Sequence, residues 1–215
     1  AQIGAPTGGP KDTTAPKLVK AAPGLNAVNF FGNKLIFTFD EFIDLQDLQN
    51  NLLITPLQKT SAIVSSNLKT LTVKFKDTLL PNTTYYVNFG DAVKDINEGN
   101  VLKGFSYVFS TGSSIDSMEL KGKVLMAETG KTDSTISVML YRNSPDTAVA
   151  SRKPDYLVRL KGDGSFAFKY LPADNFRIYA LKDGDGNKFY NAKTELFAFS
   201  NQIYNTATTN TPIVL

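Results

Sequence analysis

Residues 181–191, "LKDGDGNKFYN", are where this 215-residue chain comes nearest to chemistry. Asp183, Asp185 and Asn187 fall at positions 1, 3 and 5 of a calcium-loop pattern, separated by glycines. Calcium is a hard cation that gathers several oxygen ligands, and carboxylates and amide carbonyls at that spacing can supply them. The pattern then departs. Position 6 is Lys188 rather than Gly, position 12 is Thr194 rather than Glu, and Glu195 comes one residue late. Asp183, Asp185 and Asn187 are the candidate metal ligands, for calcium. The plain alternative is a tight turn after a strand, where Asp, Asn and Gly serve the backbone.

Two other acidic stretches compete. "DAVKDINEGN" (91–100) offers Asp91, Asp95, Asn97, Glu98 and Asn100 as oxygen donors between two strands. "FDEFID" (39–44) groups Asp40, Glu41 and Asp44, and paired carboxylates can hydrolyse glycosides. Neighbours on a strand point to opposite faces, however, which separates Asp40 from Glu41. Nine tyrosines raise the question of sugar stacking, with Tyr170, Tyr179 and Tyr190 as candidates. Most tyrosines alternate with polar residues, as strand residues do. No residue is assigned a catalytic or cofactor-binding role.

The chain has no Cys and no His. Thiol nucleophiles, disulfides and zinc–thiolate sites are excluded, and the commonest general base is missing. The expectation is a protein that is not an enzyme and has no cofactor beyond calcium. Lys and Arg total 23 against 20 Asp and Glu, a net charge of +3 spread along the chain. Nucleic-acid binding calls for clustered basic residues and is not expected. No apolar run approaches the roughly 18 residues of a spanning helix.

The elements that must hold these residues read as strands. Alternating runs place Leu35, Phe37 and Phe39 on one face, then Leu71, Val73 and Phe75, then Tyr85, Val87 and Phe89, then Phe105, Tyr107 and Phe109. The segment 42–52 reads as a short helical turn or strand crossover. A polar stretch at 110–117 interrupts the pattern. Beyond it, runs carry Ile136, Val138 and Leu140, then Tyr156, Val158 and Leu160, then Phe166, Phe168 and Tyr170, then Phe176, Ile178 and Ala180. "KGDG" (161–164) signals a hairpin. Many short strands with turn residues between them predict an all-β fold of two β-sandwich domains in tandem.

The first half resembles the bacterial Ig-like domain family. "DTTAPK", "LIFTFDEFID", "PNTTYYVNF", "DINEGN" and "YVFSTG" occur in the family's order over residues 12–112. The second half resembles the transthyretin-like, carboxypeptidase-regulatory type of sandwich, through "GKV" (122–124) and "GDGSFAFKYLPADNFRIYALKDGDGN" (162–187). Asn175 stands where that family has Gly, and the left-handed conformation Asn tolerates would keep the turn. The opening "AQIGAPTGGPKDTTAP" resembles the start of surface lipoproteins of the Bacteroidetes type, just after their lipidated cysteine. That resemblance implies a signal peptide and a lipidated Cys before Ala1. It makes the first 14 residues a Pro/Gly tether reaching at most roughly 40 Å.

The expected organisation is a flexible tether (1–14), an Ig-like sandwich (15–112), a linker (113–118) and a transthyretin-like (prealbumin-like) sandwich (119–215). The apolar end "PIVL" reads as the start of a further, truncated segment. The expected function is that of a monomeric, non-enzymatic cell-envelope lipoprotein, a spacer or adhesion module that meets a protein or glycan partner at the surface. A carbohydrate-binding module is the alternative. Contact with the membrane would be through the lipid anchor alone. The expected location is the outer membrane or surface of a Gram-negative bacterium, with the periplasmic face also open.

Overall fold

The computed structural model describes residues 11–215. Most of the expected tether, residues 1–10, lies outside them. Strand follows strand: β1 (Leu18–Ala22), β2 (Lys34–Phe39), β3 (Ile43–Leu45), helix α1 (Leu48–Asn51), β4 (Leu53–Thr55), β5 (Ile63–Asn67), β6 (Thr70–Lys74), β7 (Thr84–Gly90), β8 (Val93–Asp95) and β9 (Phe105–Ser110). Then come β10 (Met118–Lys123), β11 (Ser137–Arg142), a 3-10 turn (Asp146–Ala150), β12 (Tyr156–Arg159), β13 (Ser165–Leu171) and β14 (Asn175–Leu181). The short strands β15 (Phe197–Phe199), β16 (Tyr204–Asn205) and β17 (Ile213–Val214) close the described chain. The fold class is all-β. The segment 42–52 is both things its sequence suggested, one helical turn between two three-residue strands.

The first sandwich faces a sheet in the order β1-β2-β6-β5 against a sheet β4-β7-β9, with the pair β3-β8 at its side. Alternation drives the packing. Leu35, Phe37 and Phe39 of β2 and Leu71 and Val73 of β6 turn inward onto Tyr85, Val87 and Phe89 of β7, and all are buried. Phe37 sits edge-on to three rings, Phe89 at 5.7 Å, Phe105 at 5.5 Å and Tyr107 at 4.9 Å. Tyr85 stacks on Phe109 at 5.2 Å, and its hydroxyl accepts the Leu80 N–H. Burial pushes the Tyr85 phenol up, so it stays neutral in this role.

The second sandwich faces a sheet β12-β11-β14-β15, with β16 also on β14, against a sheet β13-β10-β17. Val138, Leu140, Phe176 and Ile178 meet Leu120, Phe166 and Phe168 in a second core. Strand β17 joins β10 in parallel, beside Gly122. A Cβ at Gly122 would lie 2.7 Å from the Phe166 ring and 2.8 Å from the Ile213 carbonyl carbon, so this close approach requires glycine.

Two turns of the second sandwich bear on the sequence expectations. "KGDG" does form a tight turn, closed by the Gly164 N–H on the Lys161 carbonyl. The Lys161 N–H also donates to the Ser165 carbonyl, so the turn is a local hairpin, but the ladder stops there because β12 and β13 belong to different sheets. Leu160 before the turn and Phe166 after it both belong to the second core, so the chain reverses at the end of the sandwich and passes from one sheet to the other. Asn175 does not use a left-handed conformation. It opens β14 in register with Asn205, and the positive φ of that region falls on Tyr170, at 58°.

Candidate functional site

The loop after β14 gathers the chain's predicted metal ligands. One carboxylate oxygen each from Asp183, Asp185 and Glu195 lie within 4.8 Å of one another. Glu195, one residue out of register by sequence, is brought in by the turn at 192–195, where the Glu195 N–H donates to the Ala192 carbonyl. Lys188 takes the left-handed conformation usual for Gly at its place, with φ of 67°. Asn187 is near but differently engaged: its side-chain amide donates to Asp185 at 2.7 Å, and its carbonyl oxygen accepts the Phe189 N–H.

Each carboxylate already has donors. Asp183 accepts the N–H groups of Gly186 and Lys188, at 2.8 and 2.9 Å. Asp185 accepts the Asn187 N–H at 3.0 Å, and Glu195 accepts those of Asn191 and Ala192. The Asn187 N–H holds the Asp185 carboxyl below its usual range. That direction suits a carboxylate that stays ionised, and it opposes a role as general acid.

The other acidic stretches disperse. Asp91 bonds Lys103 at 2.7 Å and the Gly104 N–H. Asp95 turns inward and accepts backbone N–H groups of its own loop. Asp40 accepts the Lys17 N–H, and Asp44 faces Lys94 at 4.0 Å. Burial and the nearby Asp95, Asp40, Asp12 and Glu98 push the Glu41 carboxyl up.

The tyrosine candidates divide. Tyr179 is buried and donates to the Asp146 carbonyl, whereas Tyr170 is half-buried against Tyr86 at 5.1 Å. Tyr190 belongs to an aromatic row missed in the sequence. It stacks on Phe197 at 4.8 Å, and Phe197 stacks on Tyr179 at 5.6 Å and on Phe199 at 5.8 Å. Phe199 is 57% exposed at the rim of a hollow that also holds Arg177 and Asn201. The alternation in "LFAFS" was the available signal.

A seam between the sandwiches is the other unforeseen feature. The back of β11, β12 and β14 carries Met139, Tyr141, Leu157, Tyr179 and Leu181, all buried. Leu53 and Leu57 of the first sandwich pack on this third core, beside Ala148 and Val149 of the 3-10 turn. The Leu57 N–H donates to the Asp155 carbonyl at 2.7 Å. Arg159 reaches back to the carbonyls of Asn50 and, at 3.0 Å, Gln49.

Residues 12–111 match the family described as bacterial Ig-like domain. No curated protein matches the chain. Among solved structures, the N-terminal part of the bacterial S-layer protein SbsC is 14% identical, with a TM-score of 0.32 over 86% of this chain. The chain spans 44% of that fragment's length. An L,D-transpeptidase from Mycobacterium smegmatis is 11% identical, with a TM-score of 0.32 over 69% of this chain and 74% of the other. BcpA, the major pilin subunit of Bacillus cereus, is 12% identical, with a TM-score of 0.27 over 93% of this chain and 69% of the other.

Proposed function

We propose that this chain is a non-enzymatic structural or adhesion module of a bacterial cell surface, two sandwiches in series that act as a stiff spacer and present loops to a partner. The Ig-like match over 12–111 supports the surface reading. The observation that carries the spacer reading is the seam, in which Leu53 and Leu57 complete a core on the back of the second sandwich. The finer proposals follow the sequence resemblance: a division at 113–118, a transthyretin-like second sandwich, a monomer, and a lipid anchor at the outer membrane of a Gram-negative bacterium.

Stiffness is directly measurable. Leu57→Asp puts a charge into the apolar seam, where burial is costly. Solution scattering and residual dipolar couplings are expected to show one rigid body for the wild type and two independently oriented bodies for the variant, each still folded. Independent tumbling in the wild type would sink the spacer reading.

Glycan binding is the second reading, favoured by the stacked row Tyr190–Phe197–Phe199, whose rim is exposed. Calcium at Asp183, Asp185 and Asn187 is also proposed, with Glu195 as an added carboxylate. A ligand that binds the folded state alone raises its stability. Calcium is expected to raise Tm relative to EDTA, and Asp183→Ala to abolish the rise. An unchanged Tm would reduce the loop to a turn.

A further inference from the structure

We propose that the groove along the seam is a binding site for an acidic polysaccharide, a chain of sugars bearing carboxylates. The inference rests on the reading of this chain as a surface interaction module. The groove measures about 370 Å³ and lies between β4 and β7 of one sandwich and β12 and β13 of the other. Sites of this size favour domain junctions.

Its charge is one-sided. Arg159, Lys161 and Lys169 line it, and no carboxylate does. None of the three forms an ion pair among the described residues, whereas Lys94, Lys103, Arg142, Arg152 and Lys182 each face an Asp. The charge also runs on past the groove. Lys161 is shared with a neighbouring hollow that holds Lys121 and Lys123, so the cations form a track suited to a polymer. Asp163 accepts two hydrogen bonds from Ser165 and stays ionised, so it places one negative charge near the Lys123 end of the track.

The neutral lining supplies donors. Asn88 spends its carbonyl on the Gly90 N–H, which leaves its amide N–H groups without a protein acceptor among the described residues. The Tyr86 hydroxyl also lacks a protein partner there, and both residues line the groove. Ammonium groups for carboxylates, with an amide and a phenol for hydroxyls, match an acidic sugar. A nucleic acid fits less well. Binding through phosphates alone uses about six to ten contacts, and stacking needs an exposed ring face. Tyr86 and Tyr170 cover each other instead.

The test is calorimetric titration of the whole chain at about 50 mM salt, where screening is weak. The probes are oligogalacturonate, dextran and polyglutamate. Oligogalacturonate is expected to bind, dextran not to bind, and polyglutamate to bind at least several-fold more weakly. The double variant Lys161→Gln/Lys169→Gln is expected to weaken oligogalacturonate binding about tenfold. Lys20→Gln/Lys34→Gln makes the same charge change on the far sheet of the first sandwich and is expected to change it less than twofold. Melting curves confirm that both variants fold. No oligogalacturonate binding, or equal loss in the two variants, overturns the proposal. Equal affinity for polyglutamate overturns the sugar assignment in favour of an acidic protein. The scattering and coupling measurements use no glycan, so the spacer reading stands or falls separately.

Discussion

Phe37→Ala is expected to destabilise the first sandwich by about 3–5 kcal/mol, the usual cost of removing a buried aromatic side chain. Phe37 has no exposed surface and is ringed by Phe89, Phe105 and Tyr107. Those neighbours come from β7 and β9 across the sandwich, so truncation removes a central one of the contacts that join its two sheets. The rings are held by their own strands and cannot collapse into the space, which places the cost toward the upper end. Urea unfolding measures the total. Hydrogen exchange locates it, with faster exchange in β2, β6, β7 and β9 and retained protection in β11 and β14, which belong to the second core. Phe31 is 92% exposed, and Phe31→Ala is expected to stay within about 0.5 kcal/mol. A Phe37→Ala cost below about 1 kcal/mol would mean that the two sheets are held elsewhere.

The alternation that buried Phe37 was open to reading because one face of each strand meets a core and the other meets water. Leu35, Phe39, Leu71 and Val87 follow the same rule. Where both faces are covered, alternation stops informing. "VMLY" in β11 and "IYAL" in β14 are continuous apolar runs, a sign of a strand buried on both sides. Half of each run, Val138 with Leu140 and Ile178 with Ala180, serves the second core, while the other half, Met139 with Tyr141 and Tyr179 with Leu181, serves the seam. The runs imply a covering, but nothing local says that Leu53 and Leu57, at least 80 residues upstream of β11, are part of it. The groove was hidden for the same reason. Arg159, Lys161 and Lys169 are scattered in sequence, and only the docking of the two sandwiches sets them beside Tyr86 and Asn88. Asp183 and Asp185 were visible from spacing, whereas Glu195 joined them through a turn that spacing misplaces by one residue.

Asp95→Ala is expected to cause the largest stability loss of any single acidic substitution in the first sandwich, with Asp95→Asn intermediate. The residue is 1% exposed, and its carboxylate accepts the N–H groups of Glu98 at 2.6 Å, Gly99 at 3.1 Å and Asn100 at 2.6 Å. It thus caps its own loop, which Gly99 makes possible with φ of 78°. Alanine strips three donors of their acceptor at once. Asparagine keeps one oxygen but sets its amide N–H against a backbone N–H. The loss spreads along the chain, because Asn100 also donates from its side chain to the Asp12 carbonyl and Asp95 pairs with Ile43. The pH dependence separates charge from packing. Burial alone pushes the Asp95 carboxyl up, but the N–H groups of Glu98, Asn100, Gly99 and Asn97 outweigh it and hold the group below its usual range. A lowered folded value means that the stabilisation is complete above the unfolded value, about 3.9, and is lost as the pH falls through the folded one. The Tm gap between wild type and Asp95→Asn is therefore expected to be widest at neutral pH and to close steadily below about pH 4. A gap that stays constant down to pH 2 would show that the contribution of Asp95 is shape rather than charge.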